Sequence, residues 1–172
     1  MRDLRHSQRK QSGSVLLIVA TILIPIFLGS AMLAIDLSRL VLIRGELQNA
    51  ADAAALVGAA SITKGKIANN VNIDANTYVQ KNIVGGTNPG YIVTPRAGCV
   101  NLVTREWVNT PLTSKVTCTT PNTLGGIRLT IRNQTTVLGF AKFFNITIPA
   151  LRVSAAAVVL PVGSTKQIDL LY

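Results

Sequence analysis

The hydrophobic and polar positions of this chain fall into two regimes, a run without charge and then a periodic mixture. From Gln11 through Ile35 no charged residue occurs, and Val15–Ile35 is almost wholly apolar. About 20 apolar residues cross the hydrocarbon core of a bilayer as a helix. Lipid offers bare peptide groups no partners, so such a segment is expected to be helical. From Asp36 the texture changes but the helical period does not. Leu33, Leu40, Leu47 and Ala54 recur every seven residues, with Ile43, Ala50 and Val57 three places behind the last three. That is an a/d-like seam on a helix continuing out of the membrane. Between Ala50 and Ala60 the chain is mostly alanine, with Gly58 among them. Alanine is the best helix former, and its small side chain lets another backbone or sheet lie close. The packing positions expected from this pattern are Leu40, Leu47, Ala50, Ala54, Val57 and Gly58. The helix should stop near Thr63–Gly65, where Lys64 and Lys66 suit the C-terminal end of the dipole.

Beyond this point the periods shorten. A second helix is expected from Asp74 to Asn82, with Asp74 as N-cap and Tyr78 facing inward. The turn-rich passage Val84–Gly90 closes it. Strand-like runs follow at Tyr91–Thr94, Cys99–Val103, Glu106–Val108, Lys115–Thr119 and Ile127–Asn133. Ile127, Leu129 and Ile131 alternating with Arg128, Thr130 and Arg132 make the clearest half-buried strand. Val137–Phe144 reads as a short helix, and Ile146–Leu160 as a long strand with Pro149 at a bulge or edge. The fold class is therefore α+β: a long N-terminal transmembrane helix continuing into an exported head with a small, mostly antiparallel sheet. The expected divisions are a basic leader at 1–13, a transmembrane helix at 14–35, an Ala-rich amphipathic helix at 36–65, the head at 66–161 and a tail at 162–172.

Charge fixes the expected orientation. Of the 172 residues only 14% are charged, yet the net charge is +10. Arg2, Arg5, Arg9 and Lys10 cluster in the leader, and basic residues beside a spanning segment stay cytoplasmic. The N-terminus is expected inside and everything after Ile35 outside. A cleaved secretory signal shares the basic start and apolar core. Here the apolar run exceeds a typical signal core, and the A-x-A-like site at Ala31–Leu33 leads straight into the helical seam, which favours an uncleaved anchor. Residues 1–13 are polar and expected to be disordered. Pro25 should kink the span. Gly29, Ser30, Ala31 and Ala34 form either a face for close helix approach or part of a plain anchor. Asp36 and Arg39, three apart, can pair along one helical face.

Cys99 and Cys118 both fall in the segment placed outside, and two thiols in a small exported domain commonly pair. Closing that loop is worth roughly 3 kcal/mol in the chain-entropy picture. Two free thiols are the alternative. A metal site is disfavoured because the only histidine, His6, lies across the membrane. The acids after the span have helix or cap roles, and no histidine there can act as a base. The glycine pairs at Gly85–Gly86 and Gly125–Gly126 lack phosphate-loop spacing, and the serines lie in no nucleophile-elbow context. No enzyme activity, cofactor or small-molecule substrate is expected. Scattered charge without a Lys/Arg run or an aromatic stacking set gives no nucleic-acid role.

The passage Ala34–Ala60, and within it Leu47-Gln-Asn-Ala-Ala-Asp-Ala-Ala-Ala-Leu56, resembles the N-terminal region of the TadE/TadG-like family of tight-adherence (Flp) pilus assembly proteins. A weaker echo lies in Val137–Val159, where an aromatic helix precedes Val153-Ser-Ala-Ala-Ala157. The resemblance implies a membrane-anchored, pseudopilin-like or minor component of a bacterial pilus machine. Its pilin-like head would lie outside the cytoplasmic membrane, and its partners would be the membrane, other pilus-machine proteins and further copies of its own helix. Prepilin-type processing in such systems cuts after a glycine and usually wants a glutamate at the fifth mature position. Gly13 is followed there by Ile18, a departure from that pattern. A second reading, from a different class, is a membrane-tethered module whose basic exported head contacts anionic cell-wall or surface polymer.

Overall fold

The computed structural model describes residues 8–84, 91–132, 145 and 150–160. The expected turn at 85–90, the helix Val137–Phe144, the Pro149 bulge and the 162–172 tail lie outside the described residues. The first helix, α1, runs from Gln8 to Thr63 as one element of 56 residues and passes Pro25 without interruption. It begins inside the stretch expected to be disordered. The chain divides into two units, one carrying α1 as far as Leu40 and the other beginning at Val41.

In the first unit, the large apolar side chains of α1 are exposed. Val15, Leu16, Leu17, Ile22, Phe27 and Ile35 are all exposed, and none of the most apolar stretch is buried inside the protein. An apolar surface of that extent is stable only where something other than water covers it. The few hydroxyls on this stretch turn inward. Thr21 Oγ1 donates to Leu17 O at 2.8 Å, and Ser30 Oγ donates to Phe27 O at 2.8 Å. Both satisfy a polar group within the helix itself, as a lipid surrounding demands. Of the two residues that can pair along this face, Asp36 is buried and Arg39 is exposed.

The second unit holds the end of α1, a helix α2 (Ala68–Lys81), and strands β1 (Ile92–Asn101), β2 (Trp107–Asn109), β3 (Thr123–Arg132) and β4 (Arg152–Val158). The strands form one antiparallel sheet in the order β2-β1-β3-β4. The α+β class holds, and so does the end of α1, where Gly65 takes the left-handed conformation (φ 71°) that stops a helix.

Two expected strands, Tyr91–Thr94 and Cys99–Val103, are one. β1 runs unbroken through Pro95, which the continuous ladder to β3 carries along. Lys115–Thr119 is not a strand; only Lys115 bridges, to Ile67. The last strand is shorter than expected.

The second helix is corrected more deeply. It starts at Ala68, not Asp74, with Ile67 at the N-cap position and no side-chain cap. Its first N–H groups are satisfied from afar: Ala68 N donates to Ser114 O at 2.8 Å and Asn69 N to Leu112 O at 2.9 Å. These are groups that a helix start leaves without intrahelical partners. Asp74 sits mid-helix, where its Oδ2 accepts from Ser61 Oγ at 2.5 Å and Lys66 Nζ at 2.6 Å. Those donors, Lys66 first, hold its carboxyl below the usual carboxylate range. Tyr78 faces outward, and the buried face is Ala68, Val71, Ala75 and Val79.

Candidate functional site: the alanine face of the first helix

The inner face of the sheet is built by alternation. Ile127, Leu129 and Ile131 of β3 are fully buried. They stand opposite Ala157, Ala155 and Val153 of β4, and opposite Ala97, Pro95 and Val93 of β1. The flanking strands therefore supply small residues beside a central ridge of large ones. The end of α1 lies against this ridge with side chains that are small in turn. Leu47, Ala50 and Ala54 are buried, as is Gly58, whereas Leu40 and Val57 are half-buried and Leu33 is exposed.

At the end of α1, Ala51, Ala55, Ala59 and Ser61 are buried although they were not among the expected packing positions. Their positions follow from geometry. A straight helix turns every 3.6 residues, so its contact stripe drifts off a seven-residue repeat unless the helix supercoils. The end of α1 meets the sheet, with Gly58 against Ile127, and a sheet does not impose that supercoil. The stripe slides from Ile43, Leu47, Ala50 and Ala54 toward Ala51, Ala55 and Gly58. A four-residue spacing through 43, 47, 51, 55 and 59 is the signal that would have found the three alanines.

At Gly58 the helix and the sheet approach closely. A methyl group in place of its hydrogen would stand 2.6 Å from Ile127 Cδ1 and 2.9 Å from Ile127 Cγ2. Polar contacts fix the register around it. Gln48 Nε2 donates to Asp52 Oδ1 at 2.9 Å on its own helix and to Ser154 O on β4 at 3.2 Å. Asn72 Oδ1 on α2 accepts from Ala97 N of β1 at 3.0 Å, satisfying a backbone donor where β2 no longer pairs with β1. Cys99 of β1 is bonded to Cys118, with a Cα–Cα distance of 5.8 Å. This ties the segment between β2 and β3 to the sheet, where ladder bonds are few.

A bare apolar helix whose continuation is buried under a small antiparallel sheet has the build of a single-pass membrane protein with one folded head. Residues 13–61, the bulk of α1, match the Tad family, described as putative Flp pilus-assembly TadE/G-like. The matched stretch is under a third of the chain and takes in the alanine face. It supports involvement in Flp pilus assembly and fits association with a membrane. No curated protein and no solved structure matches the chain.

Proposed function

We propose that this protein is a membrane-anchored, pseudopilin-like or minor component of an Flp pilus machine, acting through helix packing and protein contact. In this reading the N-terminus is cytoplasmic, the helix spans the inner membrane, and the head is exported to the periplasm or the cell surface. The observation that carries it is the division of labour along α1. The large apolar side chains of the first part are exposed, as a surface meeting lipid or like helices requires, and the alanine part is buried against its own sheet. Self-association therefore belongs to the apolar part, where Gly29, Ser30, Ala31 and Ala34 allow close approach. Leu47, Ala50, Ala54, Val57 and Gly58 hold the head onto the end of its helix.

Two measurements test this together. A reporter active only outside the cytoplasm, fused after Tyr172, should be active, and pilus-machine proteins should co-purify with the full chain from detergent-solubilised membranes. Activity of a cytoplasm-only reporter at that position would reverse the orientation. Purification without any pilus-machine protein would remove the assembly role.

A further inference from the structure

The outer face of the sheet carries a charge arrangement that folding alone does not favour. Arg96 of β1 stands directly opposite Arg128 of β3, and Arg132 of β3 directly opposite Arg152 of β4. All four are exposed. Directly opposed residues have Cβ atoms about 4.5–5.5 Å apart, and like charges so placed are destabilising. β1, β3 and β4 contain no Asp or Glu to offset them. The ion pair found among the described residues, Lys66–Asp74, lies elsewhere.

The rest of the face is ordered around these pairs. The guanidinium of Arg128 lies over the ring of Trp107, 5.7 Å from its centroid, a cation–π contact that holds the charge in place. Gly98 makes room for β2, since a methyl group there would meet the Val108 backbone oxygen first and Trp107 Nε1 at 3.0 Å. Between the two arginine pairs runs a row of hydroxyls, with Thr130 Oγ1 and Ser154 Oγ 3.1 Å apart and Thr94 in register beside Thr130. Arg128 and Arg132 are four residues apart on one strand, so the pairs are separated by roughly 13 Å.

Paired guanidiniums with hydroxyls between them fit one chemistry well. The arginine fork accepts a carboxylate through two parallel hydrogen bonds, and hydroxyls exchange hydrogen bonds with sugar hydroxyls. Two such pairs a fixed distance apart favour an extended ligand over a small anion. Single-stranded nucleic acid would need open aromatic faces for its bases, but the aromatic ring on this face, Trp107, is covered by Arg128. We propose that the outer sheet face binds an acidic polysaccharide, its carboxylates held by Arg96–Arg128 and Arg132–Arg152 and its hydroxyls by the row between. This function is separate from the pilus reading and stands or falls independently of it.

The test uses the full chain in uncharged detergent micelles, with polygalacturonate as probe. Neutral dextran and a single-stranded oligonucleotide of similar length serve as comparisons. Wild type should bind polygalacturonate, more weakly as salt screens the contact, and should ignore dextran. The double variant R96Q/R152Q should bind at least tenfold more weakly while its melting temperature stays level or rises, because each change relieves a like-charge pair. K81Q/K115Q removes the same charge from exposed positions off this face and should stay within about threefold of wild type. Equal losses in the two variants would reduce the effect to net charge and overturn the proposal. So would dextran binding as strong as polygalacturonate binding, tighter binding to the oligonucleotide, or no binding by wild type at low salt.

Discussion

Gly58 of α1 and Ile127 of β3 occupy one space between them: the isoleucine's Cδ1 and Cγ2 fill the volume that any side chain at position 58 would need. Glycine inside a helix costs about 1 kcal/mol relative to alanine. The contact with a fully buried isoleucine explains why the helix carries that cost here.

Gly58→Ala should therefore destabilise the head despite its better helix propensity. Ile127 Cδ1 and Cγ2 can shift only by leaving the rotamer that a buried β-branched side chain prefers, and Cβ, 3.4 Å from the added methyl, moves only with the strand. Overpacking of this kind costs about 1–3 kcal/mol. Ile127→Val removes Cδ1 and alone costs about 0.5–1.5 kcal/mol. Thermal melts should show that the double variant loses less than the sum of the two single changes, the mark of residues in contact. Strict additivity would mean that the two sites are uncoupled.

Ala54→Leu should behave similarly, because Ala54 is fully buried while Leu nearly matches Ala in propensity. Ala53 is half-buried, so Ala53→Leu should cost much less. For a head of this size, 1 kcal/mol corresponds to about 4–8 °C in melting temperature. Wild-type melting of both variants would make the alanines mere helix filler.

Reduction of Cys99–Cys118 should lower stability by about 3 kcal/mol. Thiol alkylation should label neither cysteine before reductant and both after it. Equal labelling with and without reductant would show that the bond does not form in the protein.

Asp74 gives the acid limb of stability a specific origin. Its carboxyl is held below the ordinary value of 3.8 by Lys66 and Ser61. A depressed folded value means that the contribution is complete above the unfolded value and disappears as pH falls through the folded one. The melting temperature of wild type should fall between about pH 5 and pH 2 more steeply than that of Asp74→Asn, and the two curves should converge at the acid end. Parallel curves would show that Asp74 carries no proton linkage.

The long helix, its stop at Gly65, the β3 alternation and the cysteine pair were legible because each is written in local order: a run, a cap, a period of two, a count. The start of α2 was not. Asp74 is the residue type that caps helices, yet it serves as an acceptor for Ser61 and Lys66, while the carbonyls of Leu112 and Ser114, distant in sequence, perform the capping. Pro95 likewise reads as a break until β3 is seen to hold the strand through it. The alanine face was half legible. The heptad found Leu47, Ala50 and Ala54, but its seven-residue repeat presumes a helical partner, and with a sheet as partner Ala51 and Ala55 are buried too. The paired arginines could not be read from sequence, since only the register of β1, β3 and β4 makes them neighbours.

The borrowed cap on α2 also sets an order in time. Ala68 and Asn69 leave the ribosome well before Leu112 and Ser114, and if the head is exported they cross the membrane first as well. Until those carbonyls arrive, the first turn of α2 has donors facing water, and a segment of 14 residues is too short to hold a helix alone. α2 is thus a late event, completed only when the segment between β2 and β3 closes over it. A chain interrupted before Leu112 would display a finished rod and an unfinished head.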